Sequence, residues 1–382
     1  MKFPEKLYLK LQNRIKNNSL RLLKKPLQLI DFSSNDYLGF SKSETIFNQT
    51  HTYLSTNNIK HNGSTGSRLL SGNHSLYSIV EKKLATTHQA PAALVFNSGY
   101  DANLGLLSCI LARQDIILYD KLAHASIRDG IQLAHAKSIA FAHNDLCHLE
   151  NKLKKYDTEN REHEIYVVTE SIFSMDGDSP DLVKMVELCH QYNARLIVDE
   201  AHALGVFHLG LLQKLNLHKK VFARVMTFGK GLGCHGAAIL GSDDLIQFLI
   251  NFSRPFIYTT ALSPHVLTTI LMAYENLLTL THHTLQNNIE YFKSTCQEMN
   301  LQTLFIDSDS AIQSCVISQN KRVKFIANQL QHNHFDVKAI LSPTVAQGQE
   351  RLRFCLHSFN STDEIKGVLT LLKNILLSDL EK

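Results

Sequence analysis

Along most of the chain, apolar residues gather in short unbroken runs, and between the runs they recur every three to four positions. The runs Ala92 to Phe96, Asp115 to Tyr119, Lys137 to Phe141, Ile165 to Thr169, Arg195 to Val198, Val225 to Phe228 and Ala237 to Leu240 have the length and character of strands buried on both faces. Helical periodicity fits between most of them. That alternation predicts an α/β fold with a mainly parallel central sheet covered by helices on both sides. In such a sheet, binding residues sit beyond the carboxyl ends of the strands. Ser98-Gly99-Tyr100, His124, Ser174, Asp199 with His202, and Thr227 with Lys230 fall there in turn.

The remaining segments read differently. Lys2, Lys6, Lys10 and Arg14 recur every four residues beside Leu7, Leu11 and Ile15, which predicts an amphipathic N-terminal helix with a basic face. Asp31 to Gly39 reads as a strand end and a turn. Asn62 to Gly72, rich in glycine and small hydroxyls, is either a linker or a tight functional loop. Beyond Pro264 a helical stretch from His265 to about Met299, strands near Ala311 to Ile317 and Arg351 to Leu356, and a closing helix from Thr362 predict a smaller α+β domain. The expected divisions are an arm over 1–45, a large domain over 46–262 and a C-terminal domain with its linking helix over 263–382.

Composition narrows the class. A chain of 382 residues, 44% hydrophobic and 19% charged, has the bulk for two domains of an ordinary enzyme. Seven cysteines without a C-x-x-C pair point away from a disulfide framework or a zinc site and towards the cytoplasm. The histidines show no ligand spacing, so no metal is expected. A net charge of +4 with acids and bases interspersed argues against nucleic acid as a partner. No apolar run approaches the ~20 residues of a membrane span, and no membrane partner is expected. The basic start reads as an arm rather than a transit peptide, because a structured motif begins at Phe32.

The chemistry centres on Thr227-Phe228-Gly229-Lys230-Gly231-Leu232-Gly233, a lysine among glycines directly after an apolar run. A lysine amine condenses with aldehydes, and small neighbours let a flat cofactor come close to the backbone. About thirty residues upstream, Arg195-Leu196-Ile197-Val198-Asp199-Glu200-Ala201-His202 is a strand ending in a carboxylate. A carboxylate there can hold a pyridine nitrogen protonated. Either motif alone reads as an ordinary loop, whereas together they point to pyridoxal 5'-phosphate. Gly231 to Gly236 also spells G-x-G-x-x-G, but a dinucleotide site needs a helix directly afterwards and Ala237 to Gly241 reads as a strand.

Phe32 to Gly39, Ser98-Gly99-Tyr100, Phe173 to Asp178, Val198 to His202, Thr227 to Gly231 and Arg351-Leu352-Arg353 occur in an order and at spacings that resemble the pyridoxal-phosphate-dependent α-oxoamine synthases of fold type I. The resemblance spans almost the whole chain and implies a homodimer. It implies that Lys230 is the lysine that holds the cofactor, with Asp199 at the ring nitrogen and His124 stacked on the ring. Ser174 and His202 would lie near the ring oxygen, with the backbone of Gly99 and Tyr100 and the Thr227 hydroxyl on the phosphate. Asn35 and Arg353 would grip the amino-acid carboxylate, and Arg21 and Thr344 would lie near the acyl substrate. Ser67 stands where glycine-restricted members carry threonine, which leaves room for a methyl group. The implied reaction is decarboxylative condensation of L-alanine with a pimeloyl thioester, as pimeloyl-CoA or pimeloyl-acyl carrier protein. Sibling synthases using glycine or serine, and aminotransferases or decarboxylases of the same fold, are the alternatives. The chain departs from the pattern at Ala203 and His61, where relatives usually carry glycine, and lacks a Gly-Arg-Gly near Gly210.

Overall fold

The computed structural model describes residues 3–23, 28–157, 162–281 and 283–380. It divides into two compact units, one of Asn35–Ser174 with Ser179–His282, the other of Met1–Ser34, Met175–Asp178 and His283–Lys382. The larger unit is built on a seven-stranded sheet. Its order is Ala92–Phe96, Ala237–Gly241, Ala223–Thr227, Arg195–Asp199, Ile165–Glu170, Ile116–Asp120 and Lys137–Phe141. Six strands run one way, and Ala237–Gly241 runs against its two neighbours. The expected α/β architecture is therefore present, with strand ends moved by one or two residues. Asp115 stays out of its strand because its carboxylate accepts from the amides of Ala112 at 2.8 Å and Glu164 at 3.0 Å.

Alternation along these strands separates the core into layers. Leu94, Phe96, Val168, Ile197, Val225 and Ile239 join one cluster with the helix Gly99–Ile110. Their sequence neighbours turn the other way. Ala93, Val95, Met226 and Ala238 pack with the helices Ser75–Thr87 and Pro264–Thr279, while Leu118, Val167 and Val198 pack with Leu182–Gln191.

The 62–72 segment is a tight loop. Gly66 O accepts from Ala261 N at 2.9 Å, the Ser64 hydroxyl donates to Leu262 O at 2.5 Å, and Arg68 lies 3.9 Å over the Tyr77 ring while pairing with Glu81. Gly72 has no room for a side chain, since a Cβ there would lie 2.2 Å from Gly66 O.

The smaller unit has a three-stranded antiparallel sheet in the order Ile312–Val316, Arg351–Cys355, Lys338–Ile340. Ile30–Asp31 pairs parallel with Phe335–Asp336. Phe292, Phe305 and Phe354 form an aromatic cluster under it. The short Met175–Asp178 piece belongs here because Asp176 pairs with Arg351 and Gly177 O accepts from the hydroxyls of Ser308 and Ser310.

Three expectations are modified. The helical stretch after Pro264 is two helices, Pro264–Thr279 and Thr284–Glu298, because Leu280 leaves the first in an extended conformation. The compact units also divide the chain differently from boundaries at 45 and 262. Pro264–Thr279 falls in the larger unit, where Leu267, Ile270, Leu271 and Tyr274 are buried in its core. The N-terminal helix is Glu5–Lys16 and buries none of its residues, and Lys2 of its basic stripe lies outside the described residues. Among the described residues no helix is long and apolar enough to cross a membrane.

Candidate active site

The parallel strands of the large sheet end on one edge, and there the polar residues form two hydrogen-bonded series. The first starts at Lys230, three residues past the Ala223–Thr227 strand. Lys230 Nζ lies 2.7 Å from His202 Nε2, His202 Nδ1 lies 2.6 Å from the Tyr37 hydroxyl, and that hydroxyl donates to Asn35 Oδ1 at 3.3 Å. An ammonium can only donate, so His202 Nε2 accepts and its ring proton sits on Nδ1, pointing at Tyr37. Every donor then runs in one direction, from lysine to asparagine. His202 and Tyr37 are buried, so water does not compete for these bonds.

The second series surrounds Asp199, the last residue of its strand. Asp199 Oδ2 accepts from Asn103 Nδ2 at 2.7 Å and Oδ1 accepts from the Ala201 amide at 2.8 Å. The same Asn103 amide donates to Ser126 Oγ at 3.1 Å, and Ser126 Oγ lies 2.8 Å from His124 Nδ1. Both Asp199 oxygens are thus held by donors. His124 caps the helix Ala125–Leu133 and keeps one side open to solvent. Desolvation of its packed side pulls its pKa below the ordinary value; the Asp199 charge opposes that and Lys230 adds to it. His124 is therefore a neutral ring at neutral pH. Its amide donates to Glu170 Oε1 at 2.7 Å.

A third feature is an anion cradle. Ser98 caps the helix Gly99–Ile110 by accepting from the Asp101 amide at 3.1 Å, which leaves the amides of Gly99 and Tyr100 without an acceptor inside the helix. Thr227 Oγ1 is buried with no hydrogen-bond partner. A Cβ on Gly99 would lie 2.4 Å from that oxygen, so the glycine lets the helix end and the orphaned hydroxyl meet. Helix N-termini of this kind take phosphates. The Tyr100 side chain turns away to Asp129. An orphaned hydroxyl, a helix end, a strand-end carboxylate with fixed donors and a lysine amine on one sheet edge fit pyridoxal 5'-phosphate.

The other candidates fall as follows. Ser174 lies four residues past the Ile165–Glu170 strand on the same edge, partly buried. Ser67 lies in the tight loop, where its carbonyl accepts from the amides of Leu70 and Gly72. In the smaller unit Arg21 Nη2 donates to Thr344 Oγ1 at 3.3 Å, which joins two positions 323 residues apart. Arg353 is buried on its strand, with Nη1 2.9 Å from Cys355 Sγ. Ala203 is fully buried and is not among the residues with positive φ, so a side chain fits there without backbone strain. Gly210, by contrast, sits at φ 108° with a Cβ position 2.8 Å from the Glu200 carboxylate. That carboxylate forms a buried pair with Arg224 at 2.7 Å.

Sequence reasoning missed Asn103, Ser126, Glu170 and the role of Tyr37. Glu170 had a visible signal, a carboxylate ending an apolar strand as Asp199 does. Asn103 is one helical turn beyond Gly99, on the same helix face, but an asparagine there announces no partner.

The chain matches the family model "Aminotransferase class I and II" over residues 28–370. It is 37% identical over 364 residues to 8-amino-7-oxononanoate synthase of Emericella nidulans, covering 90% of this chain and 88% of that protein. The crystal structure of 8-amino-7-oxononanoate synthase from Francisella tularensis superposes with a TM-score of 0.77 at 28% identity, covering 92% of this chain and 99% of that one. A structure of SPT with PLP superposes with a TM-score of 0.88 over 98% of this chain and 97% of that one; at 23% identity this likeness concerns the fold. The chain belongs to the class I and II aminotransferase family, as a pyridoxal-phosphate-dependent enzyme of fold type I that groups with the 8-amino-7-oxononanoate synthases.

Proposed function

We propose that the protein condenses L-alanine with a pimeloyl thioester, on CoA or an acyl carrier protein, releasing carbon dioxide, the free thiol and 8-amino-7-oxononanoate. The observation that carries the reading from family to reaction is the 37% identity, over nine-tenths of the chain, to a synthase of that name. Pyridoxal phosphate supplies an aldehyde for the amino acid and a ring that takes up the electron pair left at its α-carbon. Gly99, Tyr100 and Thr227 would hold its phosphate, Asp199 would hold its ring nitrogen, and His124 would help to hold the ring. Ser174 and His202 would serve its ring oxygen.

Lys230 Nζ would be the amine that holds the aldehyde and the base that takes the α-proton of the amino acid. The hydrogen bond from Nζ to His202, continued through Tyr37 to Asn35, fixes where that amine waits. The family resemblance assigns Asn35, and separately Arg353, to the amino-acid carboxylate, and the Arg21 and Thr344 pair to the acyl substrate. We assign the protein as a homodimer on the same family grounds.

The test is the ratio of kcat/KM for alanine over glycine with pimeloyl-CoA, following thiol and carbon dioxide release, in wild type and Ser67→Thr. Wild type should prefer alanine, and the added methyl should lower that ratio by about 10-fold or more, the worth of one crowded methyl group. If wild type prefers glycine or serine, or turns over acetyl-, succinyl- or long acyl-CoA and ignores pimeloyl thioesters, a sibling synthase replaces this reading.

A further inference from the structure

Glu170 and Asp199 end adjacent parallel strands and stand in direct register, Glu170 against Asp199. Register partners in a parallel ladder project to the same face, so the two carboxyl groups lie side by side on one buried face at the sheet edge. Glu170 is 3% exposed and Asp199 5%. Their donors are unequal. Asp199 takes one donor on each oxygen, from Asn103 and from the Ala201 amide, whereas Glu170 takes the His124 amide on Oε1. The other charged or titratable groups bearing on Glu170 are Asp120 at the end of the Ile116–Asp120 strand, His124 at its helix cap and Lys230. Asp120 is satisfied locally, since its carboxylate meets His143 Nδ1 at 2.9 Å and accepts from the amides of Leu122 at 2.8 Å and Asn144 at 2.9 Å. Lys230 is the cation of the set, and in the proposed reaction it is the group that must be able to lose its proton.

Two neighbouring carboxylates in a dry site cannot both keep their charge, and the better-solvated one stays ionised. We infer that Glu170 is a positioning residue that carries a proton at neutral pH: as a neutral acid it holds the His124 backbone in place and leaves Asp199 the single anion of the pair. The proton has a stated home, the Glu170 carboxyl group, and Oε1 remains the carbonyl oxygen that accepts from the His124 amide. Burial first, and the Asp199 charge second, push the Glu170 pKa up to about 8, while Lys230 pulls the other way. An ionised Glu170 would set a second negative charge beside Asp199 and draw Lys230 towards itself.

The inference rests on the reading of Asp199 as the ring-nitrogen partner, but its test reads the proton directly. Infrared spectra of the full-length holoenzyme, wild type minus Glu170→Gln, should show the carbonyl stretch of a protonated carboxylic acid near neutral pH. That band should fade as the pH rises through about 8. Thermal midpoints of the cofactor-free chain give a second readout. A carboxyl whose folded pKa lies above its unfolded value of 4.5 contributes fully below 4.5, and that contribution is lost as pH rises towards about 8. Glutamine has no such loss, so the midpoint of Glu170→Gln should gain several degrees on wild type across that window and run parallel to it outside. Asp199→Asn removes the neighbouring charge and should move the fading of the wild-type Glu170 band to lower pH, which keeps the test open if Glu170→Gln does not fold. Absence of the band at neutral pH, parallel midpoints throughout, or a band indifferent to Asp199→Asn would each overturn the inference. Failure of alanine or pimeloyl thioesters as substrates would leave it standing and overturn only the proposed reaction.

Discussion

Thr227 places a hydroxyl where the fold itself has no use for it, buried at a strand end with nothing to bond. An unsatisfied buried hydroxyl costs about 1–3 kcal/mol, so it is retained for something that binds. Thr227→Val keeps the shape and removes the polar atom. The cofactor-free variant should melt no lower than wild type, while its affinity for pyridoxal phosphate should fall about 10- to 100-fold, the worth of one hydrogen bond to a charged group. A calorimetric scan and a cofactor titration check both halves, and unchanged affinity would remove Thr227 from the phosphate site. At Lys230 the expectation is starker. Lys230→Ala should lower thiol and carbon dioxide release by about 1000-fold or more, because it removes both the anchoring amine and the base. Borohydride treatment of wild type with peptide mapping should locate the cofactor on Lys230, and its recovery on another lysine would overturn the assignment.

At the level of elements, the decisive one is the helix Gly99–Ile110. Its cap Ser98 turns the chain from strand to helix, its first turn offers the amides, and Asn103 one turn later reaches Asp199. One helix therefore touches both ends of the proposed cofactor site. Gly99→Ala tests that geometry, since the new Cβ would lie 2.4 Å from Thr227 Oγ1 and one of the two must move. The helix should survive, because alanine is a better helix former than glycine by roughly 1 kcal/mol. Cofactor affinity should drop at least about 10-fold with far-ultraviolet circular dichroism unchanged. Wild-type affinity would mean that the phosphate lies elsewhere. The strand ladders work in the same way, since the register of Ile165–Glu170 against Arg195–Asp199 is what sets Glu170 beside Asp199.

For the whole molecule, acid is the revealing stress. His88 is completely buried in the larger unit, with Nε2 2.8 Å from the Tyr274 hydroxyl, and burial together with the Arg224 charge pulls its pKa down to about 3. A histidine depressed below its unfolded value of 6.5 contributes its full stability above that pH and loses it as pH falls from 6.5 towards about 3. The slope for one such group is about 1.4 kcal/mol per pH unit. Denaturant titrations of wild type between those limits should show this decline, and His88→Gln should flatten it by about one proton. Equal slopes would show that His88 takes up its proton without unfolding the core around it.

What the amino-acid order determined by itself is the set of elements and the candidates for the reactive groups. Six of the seven strands were legible because their burial requires apolar runs, while Lys137–Phe141 is a largely exposed edge strand; Asp199, Thr227 and Lys230 were legible as candidates because they close or follow such a run at the edge where an α/β sheet binds. A resemblance in those same motifs supplied the roles. What the tertiary structure alone decided is which side chains meet. Asn103 reaches Asp199 across 96 residues, and Tyr37 meets His202 across 165. Glu170 stands beside Asp199 because their strands are adjacent, whereas Thr227 and Gly99 converge across the intervening Ala237–Gly241 strand. Local periodicity records whether a residue faces a core, but the order of strands across a sheet is fixed by long-range packing, so these pairings became visible only in the folded chain.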